Sequence, residues 1–167
     1  MGKLTNEELL TSLTAKFEGA FTVVGEPFGL VTLETTREQI IPILRFLKTD
    51  PALQFIFLTD LTAVHYPEQE KQIGVIYHIH SLVHNVRARI KVFLQDTDVH
   101  IPTVTTLWEG ANWMERETYD FFGVIFDGHP DLRRILNVDD MTAFPMRKEY
   151  PLEDPNRVDK KDYFFGR

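Results

Sequence analysis

The sequence predicts an α+β fold: a mixed or antiparallel sheet of about five strands packed with helices, followed by an extended C-terminal tail. Apolar residues recur at helical spacing in three segments, and segments of strand length alternate between apolar and polar residues. The last part of the chain, residues 124–167, contains four prolines and no sustained periodicity. The periodic part therefore predicts the folded domain and the last part predicts the tail.

The first predicted helix covers residues 5–18. Thr5 is placed as its N-cap, and Glu8 lies three residues later, as in a capping box. The apolar residues recur at helical spacing: Leu9, Leu10, Leu13 and Phe17. Two short β-like segments follow and are separated by Gly25-Glu26-Pro27, which predicts a hairpin.

A second helix is predicted over Arg37 to Lys48 and ends at Asp50-Pro51. Pro42 interrupts its apolar pattern and leaves two alternatives. Either the helix kinks at Pro42, or its regular part starts there with proline as the first residue.

Three strands are predicted next, over residues 53–67, 71–83 and 85–95, with a turn near His84-Asn85 joining the last two. In the third strand, one set of side chains is apolar: Val86, Ala88, Ile90, Val92 and Leu94. The alternate set is charged: Arg87, Arg89 and Lys91. This alternation predicts a hairpin with one buried and one solvated face.

The third helix is predicted over Trp108 to Phe122, with Gly123 as its C-terminal stop. We therefore divide the chain into an α+β domain, residues 1–123, and a tail, residues 124–167. The tail carries apolar residues that a disordered segment usually lacks: Phe126, Leu132, Ile135, Leu136, Phe144, Tyr150, Tyr163, Phe164 and Phe165. They predict an extended tail that wraps around something outside its own domain.

The amino-acid composition disfavours several classes of protein function. The net charge of -7 and the lack of a basic run disfavour nucleic-acid binding. The chain has no cysteine, which excludes disulfides, thiolate catalysis and iron–sulfur clusters held by its own cysteines. The N-terminus lacks the apolar segment of a signal peptide, and no apolar run is long enough to span a bilayer. We expect a soluble intracellular protein that reaches a membrane only through a partner.

The acids of the third helix do not form a carboxylate pair. Glu115 and Glu117 are two residues apart, so a helix directs them to nearly opposite sides. Glu117 and Asp120 are three residues apart and therefore adjacent on the helix surface, and Arg116 lies four residues before Asp120. Together with Trp113 they predict a solvated, salt-bridged helix face. No local feature raises the pKa of an acid, and Arg116 is expected to lower it.

Two other chemistries have little support. His78 and His80 share one side of a strand, with His84 at the following turn, which leaves metal binding open. No acid or thiol accompanies them, and the solvated face of a half-buried strand explains them better. Neither a nucleophile elbow nor a phosphate-binding glycine loop is present, which disfavours nucleophilic catalysis and NAD or ATP binding. The segment "GHPDLRRIL" leaves two alternatives: a short amphipathic turn, or an interface segment in which Arg133 and Arg134 lie beside apolar residues.

The motif running from Glu115-Arg116-Glu117 through Asp120-Phe121-Phe122-Gly123 to the segment 129–136, "HPDLRRIL", closely resembles that of the C-subunit family of respiratory complex I, the NADH–quinone oxidoreductase. Residues 77–92, 102–117 and 144–153 extend the resemblance. The chain departs from the family at residues 139–143, "DDMTA", and at Met146, where the family has leucine. It also resembles the form that is not fused to the quinone-site subunit.

The resemblance implies a cofactor-free scaffold and docking subunit in the hydrophilic arm of a proton-translocating complex. FMN and the iron–sulfur clusters would lie on other subunits. The partners would be the D subunit, which carries the quinone site, and the cluster-bearing B and I subunits, on the cytoplasmic side of the inner membrane. The expected partner interface contains Trp113, Glu115, Arg116, Glu117, Asp120, Gly123, His129, Arg133, Arg134, Arg147 and Lys148.

Two alternatives stay open at this point. The same module could serve a related membrane-bound hydrogenase or another quinone or ferredoxin oxidoreductase. A chain from another class, a free-standing hydrolase or metal enzyme, would use the histidines and acids described above.

Overall fold

The computed structural model describes residues 4–150 of the chain. Its helices are α1 (Asn6–Lys16), α2 (Ile40–Thr49) and α3 (Ala111–Phe122). Its strands are β1 (Phe21–Gly25), β2 (Val31–Thr35), β3 (Phe57–His65), β4 (Ile73–Ser81), β5 (Val86–Leu94), β6 (His100–Pro102) and β7 (Ile125–Asp127). A 3-10 turn, Pro27–Gly29, joins β1 to β2.

Five strands form one mixed sheet in the order β1-β2-β5-β4-β3. Within this sheet β2 and β5 pair in parallel, and the other neighbours are antiparallel. The register aligns Leu33, Ile90, Tyr77 and Leu61 across four strands. All four side chains are buried and share one core with the buried residues of the helices. The predicted α+β fold with a five-stranded sheet is therefore confirmed.

The predicted capping box of α1 is confirmed. The Thr5 hydroxyl accepts a hydrogen bond from the Glu8 N–H, and the Glu8 carboxylate accepts one from the Thr5 N–H. In contrast, the alternative that places Pro42 as the first residue of α2 is wrong, because the helix starts at Ile40 and Pro42 is its third residue. The N–H groups of a first turn have no partner within the helix, so proline is tolerated at this position.

The strand predicted over residues 53–67 is shorter than expected. Leu53 and Phe55 are buried, but β3 begins only at Phe57. Gln54 has a φ of 49°, which turns the backbone, and the Phe55 N–H donates to the Leu47 carbonyl. This segment therefore packs against the end of α2, and its apolar residues are core residues outside the strand.

A second, parallel sheet of β6 and β7 was not predicted. It pairs the residues that follow α3 with a segment that precedes it, and Val124 and Phe126 are buried there. The division into a domain and a docking tail at residue 123 stays a prediction, and residues 151–167 lie outside the described residues. Across residues 4–150, no helix has the length and apolar character needed to cross a bilayer.

Candidate functional site

Helix α3 has a buried side and an exposed side, and the residues of the sequence motif are distributed over both. Ala111, Glu115, Thr118 and Phe122 are buried, at intervals of three and four residues. Glu117 is exposed, so the prediction that Glu115 and Glu117 point to different sides is confirmed. The Thr118 hydroxyl donates to the Leu61 carbonyl and joins the helix to β3. The site is built where this helix ends.

Asp120 is fully buried and collects donors from the segment after β7. Its Oδ2 accepts the backbone N–H groups of Ile135, Leu136 and Asn137 at 3.1, 2.8 and 2.9 Å. Its Oδ1 accepts from Arg134 at 2.7 Å and from the Asn137 side chain at 3.0 Å. Burial alone would raise the pKa of Asp120, but the donors from Asn137 and Leu136 outweigh it and hold the pKa well below its usual range.

Both terminal nitrogens of the Arg134 guanidinium group donate hydrogen bonds within the chain. It donates to the carboxylate and the carbonyl of Asp120, and to the carbonyls of Met141 and Ala143. The predicted pairing of Arg116 with Asp120 is wrong. Arg116 donates instead to the carbonyls of Arg133 and Arg134 at 3.2 and 3.1 Å. Because Asp120 is buried and already has five donors, it does not belong to the solvated, salt-bridged face that helical spacing predicts, whereas Trp113 and Glu117 are exposed there.

Phe144 lies between two arginines and against the end of α3. The guanidinium carbons of Arg134 and Arg147 are 5.3 and 5.2 Å from its ring centre, within cation–π range. Arg147 also donates to the Phe122 carbonyl and to Asp96. Gly123 stops the helix with φ 77°, as predicted, and a Cβ there would lie 2.6 Å from the Phe144 ring. We call Asp120, Gly123, Arg134, Phe144 and Arg147 the tail latch.

Glu115 differs from the prediction that no acid of α3 has a raised pKa. Its carboxyl group is fully buried, accepts from the Val104 N–H at 2.7 Å and lies 2.5 Å from the Thr103 hydroxyl. Burial raises its pKa to about 7, although both hydrogen bonds act in the opposite direction. The expectation that no acid of α3 has a raised pKa is therefore wrong. The group joins α3 to the segment after β6.

His129 is also buried, with its Nε2 at 3.9 Å from a Glu115 oxygen. Its Nδ1 accepts the Asp131 N–H at 3.0 Å, and its Nε2 lies 3.1 Å from the Asn112 carbonyl. His129 therefore connects the start of α3 to the turn after β7.

The other predicted interface residues lie outside these buried clusters. Trp113 is 60% exposed, and the Arg133 side chain is 69% exposed beside Asp131. The Lys148 N–H donates to His65 Nδ1, which fixes the backbone beyond the latch. The structure thus brings Asp120, Arg134, Arg147 and Gly123 together, and places Trp113, Glu117 and Arg133 on the surface.

The predicted histidine group is dispersed. His78 accepts from Arg89 at 2.9 Å, and His80 is only 9% exposed and lies 3.3 Å from the Asn85 side-chain oxygen. His80 therefore departs from the predicted solvated face, because the β4–β5 turn covers it. Among residues 4–150, no three histidines and acids are grouped so that they could hold a metal ion.

The segment held by the latch exposes apolar side chains. Leu136 and Val138 are 64% and 63% exposed, and Met146 and Tyr150 are also exposed. Asp120 binds the backbone of residues 135–137, and Arg134 binds the carbonyls of Met141 and Ala143. The Met146 N–H donates to the Phe121 carbonyl, so the backbone of this segment has a defined position. With Trp113, we call Leu136, Val138, Met146 and Tyr150 the tail surface.

Sequence reasoning missed Thr103, Val104 and Asn137, because nothing local links them to the acids that they contact. The burial of Glu115 had a signal in the sequence. Glu115 lies four residues after Ala111 and seven before Phe122, so it belongs to the apolar side of the helix. Because glutamate is usually charged and exposed, Glu115 was not predicted to be buried.

Comparisons with known proteins agree on the family. The family described as "Respiratory-chain NADH dehydrogenase, 30 Kd subunit" matches residues 33–156. The C subunit of the NADH-quinone oxidoreductase of Geobacter sulfurreducens is 44% identical over 91% of this chain and 93% of its own length. A relative from Rhizobium meliloti that bears the same subunit name is 44% identical over 86% of this chain and 78% of its own length.

Two solved structures share the fold. A trypsin-resistant fragment of Nqo5 superposes with a TM-score of 0.66 and 31% identity, over 75% of this chain and 98% of the fragment. A chain of an archaeal membrane-bound sulfane sulfur reductase superposes with a TM-score of 0.75 over 93% of this chain and 96% of that chain, but its 22% identity shows the fold alone. From the family match and the two relatives, the chain belongs to the family of 30 kDa subunits of respiratory-chain NADH dehydrogenase.

Proposed function

We propose that this chain is the scaffold and docking C subunit of an NADH–quinone oxidoreductase and that the tail surface is where it holds its neighbours. The relatives bear the name of this subunit, and the charged residues of the motif act in this chain as structural groups. Asp120, Arg134 and Arg147 make their contacts inside the chain. Their role is to position the tail, and electron transfer takes place on other subunits.

The observation that carries this proposal is the pairing of Asp120 with the backbone N–H groups of residues 135–137. A carboxylate is buried to hold this segment, although its apolar side chains at Leu136 and Val138 are exposed. Within the described chain, the side chains of Leu136 and Val138 contribute little burial of apolar surface, since both are more than half exposed. A fixed and exposed apolar segment is what a permanent interface requires.

The D subunit, with its quinone site, is the proposed main partner of the tail surface, and the cluster-bearing B and I subunits are proposed to lie beside it. Arg133 and Glu117 are exposed near the tail and supply the polar rim of this interface. The iron–sulfur clusters are proposed to lie on other subunits, because this chain has no cysteine ligand to offer. FMN is also proposed to lie on another subunit, as the family resemblance implies. The proposed location is peripheral, on the cytoplasmic side of the inner membrane through the complex.

The test replaces apolar residues of the tail surface and leaves the latch intact. Leu136→Asp with Val138→Asp should leave the thermal unfolding of the isolated chain unchanged, because both side chains are exposed. It should lower the amount of assembled complex and the NADH–quinone reductase activity of membranes together. Val83→Asp, at the exposed turn between β4 and β5, is the matched control.

Normal assembly and activity in the double variant would contradict the proposal. The related-enzyme alternative is distinguished by purification of the native complex. A flavin-containing, NADH-binding partner supports the NADH–quinone oxidoreductase, and a hydrogenase subunit in its place would support the alternative.

A further inference from the structure

We propose that Glu115 is a proton-binding site and that its proton controls how firmly the segment after β6 and the turn after β7 are held against α3. We call Thr103, Val104, Glu115 and His129 the α3 joint. The joint lies outside the proposed function, because neither the tail latch nor the tail surface includes any of its residues. Its response to protons belongs to the chain by itself.

The joint brings together three parts of the chain that are separate in sequence. Glu115 lies on the buried side of α3, and His129 lies in the turn after β7. Thr103 and Val104 follow β6, and their hydroxyl oxygen and backbone nitrogen lie 2.5 and 2.7 Å from the two Glu115 oxygens. Because β6 pairs with β7, where the tail starts, the joint holds the start of the tail to the helix.

Glu115 differs from Asp120 of the same helix in what compensates its charge. The Asp120 carboxylate has five donors, one of them the Arg134 guanidinium group. Glu115 has two hydrogen bonds, and no lysine or arginine among residues 4–150 forms an ion pair with it. Two hydrogen bonds do not replace the hydration that a buried carboxylate loses. In the closed joint, Glu115 is therefore more stable with a proton than without one.

Two other titratable groups face Glu115, and both are shielded from water. His129 Nε2 is 3.9 Å from a Glu115 oxygen but lies closer, at 3.1 Å, to the Asn112 carbonyl. From β4, the buried Tyr77 hydroxyl has no hydrogen-bond partner in the part of the chain that the structure describes. Burial, and then the charge of Glu115, raise the pKa of Tyr77 well above its usual range. Neither group is a permanent cation that would hold Glu115 ionised.

The remaining acids and histidines of the packed elements point elsewhere. On β3, Asp60 is exposed, and His65 contacts the tail backbone at residue 148. Asp127 and Asp131, on either side of the turn after β7, are exposed. Glu109, before α3, is also exposed. The proton of the joint is therefore assigned to Glu115.

A short chain of hydroxyl groups connects Glu115 to the surface. Thr103 Oγ1 lies 2.9 Å from Thr105 Oγ1 and also accepts the Thr105 N–H, and Thr105 is half-buried. With the proton on Glu115, the carboxyl group donates to Thr103, which donates to Thr105. When Thr105 gives its hydroxyl proton to water, Thr105 takes the proton of Thr103 and Thr103 takes that of Glu115. One proton leaves, and Glu115 becomes a carboxylate that accepts from Thr103.

The direction of the effect follows from burial. Burial raises the pKa of Glu115 to about 7 in the closed joint, whereas an open joint would return it toward the ordinary value of 4.5. The advantage of the closed joint is complete below about pH 4.5 and is lost as the pH rises through 7. The start of the tail is therefore held less firmly in mildly alkaline than in mildly acidic solution.

Hydrogen exchange of the purified full chain measures this opening. Val104 is the reporter because its N–H donates to Glu115, and Ile90 in the central strand β5 is the reference. Val104 should be less protected than Ile90, and its protection factor, corrected for the intrinsic pH dependence of exchange, should fall about tenfold from pH 6 to pH 8. Glu115→Gln stays neutral and should lose this fall, whereas Glu117→Gln, at an exposed acid of the same helix, should keep it.

Three results would overturn the proposal. If Val104 were as protected as Ile90 at both pH values, the joint would open only when the whole domain unfolds. If Glu115→Gln retained the tenfold fall, another group would carry the proton. If His129→Asn abolished the fall, that group would be the histidine.

Infrared spectroscopy of the wild-type chain detects the proton itself and does not depend on the stability of a variant. Exposed acids are ionised at pH 6, so a carbonyl stretching band of a protonated carboxyl group should remain for Glu115 and should disappear by pH 8. Glu115→Gln should lack this band at pH 6. A wild-type spectrum without the band at pH 6 would show that Glu115 is already ionised and would overturn the proposal.

Discussion

Asp120 and Arg134 form a buried ion pair, with 2.7 Å between a carboxylate oxygen and a guanidinium nitrogen. Both side chains are almost inaccessible to solvent, at 0% and 8% exposure. Each group makes further hydrogen bonds to backbone, so neither charge is left unsatisfied. The pair joins the end of α3 to the tail, and the properties of the chain should depend on it.

Asp120→Asn should therefore destabilise the chain strongly. The amide leaves the Arg134 charge buried without a counterion, and the expected loss in the free energy of unfolding is about 3–5 kcal/mol. Urea unfolding of the purified chain measures it. Asp131→Asn breaks the exposed pair with Arg133 and should cost less than about 1 kcal/mol. Equal losses in the two variants would show that the buried pair has no special role.

Gly123→Ala should cost more than Gly19→Ala. Both glycines have a positive φ, 77° and 75°, so both substitutions introduce backbone strain of roughly 1 kcal/mol. Only at Gly123 would the new Cβ meet another group, the Phe144 ring at 2.6 Å. We expect an additional loss of about 1–3 kcal/mol for Gly123→Ala, from overpacking. Thermal unfolding of both variants checks this, and an equal loss would mean that Phe144 does not pack closely on Gly123.

Glu115 should make the stability of the chain depend on pH near neutrality. Its folded-state pKa of about 7 lies above the ordinary value of 4.5, so the folded chain retains a proton that the unfolded chain releases. The stabilisation that depends on this proton is complete below about pH 4.5 and is lost as the pH rises through 7. Glu115→Gln stays neutral and can keep both hydrogen bonds, so it should remove this loss.

Urea unfolding of the wild type and Glu115→Gln at pH 5 and pH 8 measures the effect. The variant should gain stability relative to the wild type at pH 8, on the order of 2–3 kcal/mol, and should gain much less at pH 5. The lowered pKa of Asp120 makes stability depend on pH in the opposite direction to Glu115. This contribution is the same in both proteins, so it cancels when their stabilities are compared. Parallel pH profiles would refute the raised pKa of Glu115.

Arg133→Glu and Arg134→Glu should separate interface from latch. Arg133 is exposed, so its reversal should leave unfolding unchanged and lower assembly of the complex by disturbing the rim. Arg134 is buried against Asp120, so its reversal should destabilise the chain itself. Unfolding of the purified chains and the amount of complex in membranes provide the two measurements. If Arg133→Glu assembled normally, Arg133 would not belong to the interface.

Local patterns predicted the elements well where a signal lies within a few residues. The Thr5–Glu8 capping box, the alternation along β5 and the stop at Gly123 each depend on neighbours in sequence. Where a tertiary contact decided the backbone, prediction failed. The Phe55 N–H is bonded to the end of α2, so β3 starts two residues later. The strands β6 and β7 pair although helix α3 and its flanking loops separate them in the sequence.

The helices, the main strands, the buried face of β5 and the family motif are all readable from the sequence, because periodicity and turn chemistry act over short distances. The partners of the acids depend on contacts between residues that are far apart in the chain. Asp120 lies four residues from Arg116 but pairs with Arg134, because the tail brings five donors to a carboxylate that is removed from water. Glu115 lies on the apolar side of α3, and its burial there, between the helix and the segment after β6, raises its pKa.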